Sequence, residues 1–191
     1  MKTKTLITLQ EIVDNTNIAS NVEFKKIRSS VLVAQDLYIQ NLLGTELFDY
    51  VYNNRTDQGT YTGLTATQTT FVNEYLTPTL VYYTMSVFIK LHRIEINNIG
   101  LLTNNNESST SITQEEGDKL SLQNLEYAGF YAERLKKWIC MMQNNNDNDP
   151  MFALYEQEDQ NLDPINNTLE SPIYFPSGRD CGCTSYNCIC K

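Results

Sequence analysis

Between residues 24 and 42 the apolar side chains Phe24, Ile27, Val31, Ala34, Tyr38 and Leu42 fall at every third or fourth position. A helix turns once per ~3.6 residues, so this spacing gathers all six on one face, and that face needs a core to cover. The two-residue alternation of a strand would scatter them to both sides. The same period returns in Leu80, Tyr83, Val87, Leu91 and Ile94, and again in Leu125, Ala128, Ala132, Leu135, Ile139 and Met142. Three such stripes in one chain call for helices packed on helices.

Helix starts are written beside the stripes. Thr8 with Glu11, Ser20 with Glu23, Thr65 with Gln68 and Thr113 with Glu116 each set a hydroxyl three residues before a Glu or Gln. In that pattern the hydroxyl accepts from a free backbone N–H while the longer side chain reaches back to the cap. Gly44 suits a helix stop, with a short further helix over 45–53. A turn-rich stretch over 54–63 precedes a long apolar region over 66–96. Within it, Pro78 either kinks a helix or opens a new one with Thr77 as its cap. A polar loop is expected over 97–112 and a last long helix over 113–143. Gly129 inside that helix costs stability relative to Ala, which points to close helix packing there.

Beyond residue 143 the character changes. Four prolines (Pro150, Pro164, Pro172, Pro176) deny a helical period, and eight acids against Arg179 and Lys191 give residues 144–191 a charge of −6. The whole chain of 191 residues carries −9, so only −3 remains for the rest. The segment is nevertheless apolar in short groups, which a purely solvated tail would not be. The expected architecture is therefore an all-α, small bundle of four to five helices over residues 1–143. A long, mostly irregular C-terminal arm over 144–191 follows and docks on its own body or on a partner. Phe152, Leu154 and Tyr155, then Ile173, Tyr174 and Phe175, are its candidate partner-binding anchors. Of the twelve tyrosines, Tyr38, Tyr83 and Tyr127 read as core, whereas Tyr155 and Tyr174 suit a subunit contact.

Composition removes several function classes. An acidic chain gains little from displacing counterions on nucleic acid, and the basic cluster Lys25, Lys26 and Arg28 reads as a solvated helix face. No stretch approaches the ~18 apolar residues of a membrane span, and no secretory leader is legible, so an intracellular protein is expected. The single histidine, His92, cannot build a multi-histidine metal site, and no nucleophile elbow surrounds it. The eight glycines form no phosphate-binding or dinucleotide fingerprint. Glu115, Glu116 and Asp118 sit in a helix's first turn, where acids favour the macrodipole. No catalytic residue, cofactor site or metal site is assigned. The one open motif is Cys181, Cys183, Cys188 and Cys190, whose thiols could hold zinc, pair or stay free. Their Cys-x-Cys pairs depart from the usual Cys-x-x-Cys spacing. Cys140 reads as a small core residue.

The segment Ala34, Gln35, Asp36, Leu37, Tyr38, Ile39, Gln40, Asn41, Leu42, Leu43 and Gly44, with Leu47, resembles the first-helix pattern of head-to-tail connector proteins of tailed phages, including those of crAss-like phages. The stretch from Tyr127 through Leu135, followed by Trp138 and Ile139, is similar to their last helix, so the resemblance covers roughly residues 6–143. It implies a virion protein made in the host cytoplasm that forms a ring, typically of twelve copies, below the portal. Its implied partners are itself, the portal and the next neck or tail component, with genomic DNA passing through without sequence-specific binding. The Cys-rich end departs from that family. The alternative from another class is a small intracellular regulatory binding protein with a zinc-stabilised Cys-rich module.

Overall fold

The computed structural model describes residues 3–18, 22–56, 59–92, 94–97, 100–103, 113–144, 149–156 and 164. Helix α1 (Leu9–Asn15) starts from a complete Thr8–Glu11 capping box. Helix α2 (Phe24–Ala34) runs through a π-helical stretch, Gln35–Ile39, into the short α3 (Gln40–Leu43). Gly44, at φ 75, then ends it. That left-handed conformation is cheap only for glycine, and α4 (Thr45–Asn53) can begin at the very next residue.

The Thr65–Gln68 box opens α5 (Ala66–Thr70), and the Thr113–Glu116 pair caps α7 (Gln114–Asn144). The fourth expected box is not used. Helix α2 begins at Phe24 with Glu23 in the cap position and no side-chain cap bond, while Ser20 lies outside the described residues.

Pro78 does not open a separate helix with Thr77 as its cap. A second π-helical stretch, Phe71–Leu76, carries α5 directly into α6 (Thr77–His92), and the Thr77 N–H donates to the Val72 carbonyl five residues back. The wider turn accommodates a proline ring that would clash with the carbonyl four residues before it. Thr77 is not a cap: its hydroxyl is buried with no partner.

Helix α6 is the centre of the bundle, with α7 and α2 both packed against it and α1 touching it as well. Ile12, Ile27, Val31, Leu47, Phe48, Leu80, Val81, Leu135 and Ile139 are all buried in one continuous core. The all-α reading holds for this body. One departure follows α6, where Ile94–Asn97 and Gly100–Thr103 pair as an antiparallel hairpin, β1 and β2, with Ile94 opposite Thr103. Ile94 therefore leaves the helical stripe assigned to it. Ile-Glu-Ile-Asn alternates with period two, and that signal marks a strand.

Candidate interaction surface

The face of α7 that points inward is the expected one: Ala128, Ala132, Leu135 and Ile139 are buried, with Leu125 and Met142 half-buried against them. The opposite face carries apolar side chains that the bundle does not cover. Leu120, Tyr127, Phe130 and Met141 are exposed there and on its flank among polar residues, Tyr127 at 46% exposure and Phe130 at 66%. Tyr127 is thus a surface residue and not the core residue read from its spacing. A position seven residues on returns nearly to the same face of a helix, so one stripe can be core and its neighbour bare.

Tyr127 and Phe130 continue into a ring cluster. Tyr82 of α6 stacks on Tyr131 at 5.3 Å between centroids and meets Tyr127 edge-on at 5.5 Å. Phe130 meets Tyr131 edge-on at 5.4 Å. Such pairs hold rings rigidly at the geometries their quadrupoles favour. Partial burial, then the neighbouring Tyr131 and Tyr127 hydroxyls, push the Tyr82 hydroxyl above the usual phenol pKa. It stays protonated at neutral pH and donates to the Asn15 carbonyl at 3.4 Å. Gly129, next to Phe130, has open space around its Cα: a Cβ there would meet nothing within 4 Å. The close helix packing expected at Gly129 does not occur.

Apolar residues are exposed elsewhere too, among them Leu91, which the spacing had placed in the inward stripe of α6. Leu37, in the π-helical stretch after α2, is 53% exposed, while its neighbour Tyr38 turns inward to stack on Tyr83 at 4.2 Å. Tyr38 and Tyr83 are the half-buried and buried core pair that their spacing indicates. Lys25, Lys26 and Arg28 are exposed on the same helix, as a solvated face requires.

The arm's first anchor group is not a partner site. Asp149 caps α8 (Pro150–Ala153), accepting from the Met151 N–H, and a 3-10 turn, Leu154–Glu156, follows. Phe152 is 1% exposed, edge-on to Trp138 at 5.1 Å and to Phe71 at 5.8 Å, and Tyr155 is 2% exposed. Leu154 is half-buried against the same core. The Asp149 carboxylate also accepts from the Gln68 amide at 2.7 Å and the Thr65 hydroxyl at 3.2 Å, and the Gln143 amide donates to the Phe152 carbonyl. The expected boundary at residue 143 therefore moves. The segment 149–156 belongs to the body, because it packs on α4 and α7 and its Phe152 ring meets Trp138 of α7 and Phe71 of the second π-helical stretch. Ile173, Tyr174 and Phe175 lie outside the described residues, as do the four cysteines of the Cys-rich end; Cys140 is buried.

A buried ionic clasp escaped the sequence reading. Arg55, only 2% exposed, donates to the Glu11 carboxylate at 3.1 Å and lies over the Tyr61 ring at 4.4 Å. The Tyr61 hydroxyl donates to the Leu6 carbonyl, and the Lys4 ammonium to the Arg55 carbonyl. The Gln35 amide completes the attachment, accepting from the Leu6 N–H and donating to the Lys4 carbonyl. One guanidinium nitrogen meets the Glu11 carboxylate while the buried Arg55 Nε has no partner, and the cluster ties the N-terminal segment to the body. An Arg between turn residues is the only sequence signal for it, and that signal is weak.

Among the described residues no group of three or more His, Cys, Asp or Glu could hold a metal ion. No helix among them is long and apolar enough to cross a membrane. A family model described as "Family of unknown function (DUF6712)" matches residues 39–165, and the chain belongs to that family. The match runs past residue 143 and takes in the docked segment 149–156. No curated protein and no solved structure matches the chain.

Proposed function

We propose that this member of a family of unknown function is a structural virion protein without catalytic activity, a head-to-tail connector subunit of a tailed phage. In this reading it forms a ring, of about twelve copies by its resemblance to that class, below the portal in the neck between capsid and tail. It joins the portal to the next neck or tail component and lines the channel through which the genome passes. The observation that carries the proposal is the bare aromatic surface on α7, held rigid by the Tyr82–Tyr131 stack. Exposed rings of this kind mark a protein contact, and Tyr and Phe are the residues enriched at such contacts. The helical body agrees, since the segments that carry the resemblance lie on α2 to α4 and on α7. The net charge of −9 suits a channel that DNA must traverse without sticking.

The decisive experiment mixes the purified chain with assembled tailed-phage portal rings and follows both by sedimentation and electron microscopy. A concentration-dependent mixture of monomers and open oligomers alone, and a closed ring stacked on the portal when it is present, are expected. Subunits in a head-to-tail ring make a heterologous interface, which a template helps to close. Absence of any binding to portal rings sinks the connector reading.

A further inference from the structure

We infer that the bare face of α7 seats a second copy of this chain, and that the face it meets is the exposed side of α2 with its π-helical extension. The inference rests on the assembly reading above for its occupant and adds which two surfaces join. Three observations bear on it. First, both faces carry an uncovered apolar residue: Tyr127 and Phe130 on α7, and Leu37 beyond α2, with half-buried Val33 one turn before it. Second, the charges are complementary. The first turn of α7 is acidic, with Glu116 exposed, and the first turn of α2 is basic, with Lys26 exposed. Third, the spacings agree. Glu116 to Tyr127 and Lys26 to Leu37 are both eleven positions, about 16 Å along a helix. Two helices laid parallel in that register set carboxylate against ammonium at one end and ring against Leu37 at the other.

Pairing α7 with itself fits less well. An antiparallel pair centred between Tyr127 and Phe130 sets Glu116 against Met141 and Leu120 against Lys137. Both charges then lose a counterpart. Helices α2 and α7 each pack on α6, and Phe130 on α7 and Leu37 beyond α2 stay exposed beside those contacts. An α7-to-α2 contact therefore leaves one open face of each kind at the ends and propagates, as a ring requires.

The test uses the full chain and two variants, Leu37→Asp and Phe130→Asp. Both positions are exposed, so unchanged circular dichroism and melting are expected and are checked first. By sedimentation velocity over a concentration series, the wild-type chain should form species larger than a dimer. Each variant alone should stay monomeric at concentrations where the wild type associates. An equimolar mixture should give dimers and nothing larger, because each variant retains the face that the other has lost. Lys26→Glu and Glu116→Lys should each weaken wild-type association, and together restore it. The proposal is overturned by a wild-type chain that stays monomeric throughout, by a Leu37→Asp chain that associates normally, or by a mixture that does not pair. No portal protein is present in this measurement, so its failure removes the interface while portal binding is judged separately.

Discussion

Replacing Phe152 by Ala tests whether α8 is part of the body or a detachable anchor. The ring is 1% exposed and lies against Trp138 and Phe71, with the Gln143 amide bonded to its own carbonyl. Removing a buried Phe costs about 3–5 kcal/mol, made up of lost transfer energy and the cavity left among rings that cannot collapse inward. A domain of this size is stable by roughly 5–15 kcal/mol, so the loss is a large share of the total. Each kcal/mol moves the melting temperature by about 2–4 °C in a chain of this length, which makes the expected drop roughly 6–20 °C. Ala153→Ser, at an exposed position of the same turn, is the control and should shift melting by less than about 2 °C. Urea unfolding should report the same ordering. If Phe152→Ala melts within about 2 °C of the wild type, α8 is not docked on its own core, and Phe152 and Tyr155 return to being anchors for a partner.

Three further expectations follow from the same structure. Arg55→Met removes the buried guanidinium and leaves the Glu11 carboxylate its Thr8 partners alone, so it should destabilise by about 1–3 kcal/mol, less than loss from a fully buried pair; a double-mutant cycle with Glu11→Gln that shows no coupling refutes the clasp. Gly59→Ala should destabilise by about 1–3 kcal/mol, since its φ is 85 and a Cβ would lie 2.6 Å from the Thr8 methyl, whereas Gly129→Ala should stabilise by about 0.5–1 kcal/mol; urea unfolding that gives both the same sign contradicts the geometry. The Thr113 backbone N–H, and then its hydroxyl, hold the Glu116 carboxyl below the usual carboxylate range. A lowered folded pKa contributes stability that is present above the unfolded value and lost as pH falls through the folded one. The first turn of α7 should therefore fray in acid, and an NMR titration that finds an ordinary Glu116 pKa disproves it.

Helix identity, three of the helix starts and the inward faces were legible from order along the chain alone. Capping and amphipathic spacing act between residues three or four positions apart, and nothing distant alters them at Thr8, Thr65 or Thr113. The candidate surface was not legible: Tyr127 was assigned to the core, and Phe130 entered only within the stretch that resembles a connector's last helix. Which of two adjacent stripes on α7 is buried depends on where α6 lies, and one helix's sequence does not contain its neighbour's position. The same reason governs the C-terminal anchors. Proline spacing and apolar grouping announced that the arm over 144–191 would dock, but whether Phe152 meets its own Trp138 or another subunit was decided by the packing of α7 beside Phe71, which exists only after folding. Arg55 is the extreme case. Its partners lie at residue 11 and residue 61, and a charged side chain in a turn becomes a buried one only when both reach it, because an unpaired guanidinium cannot leave water.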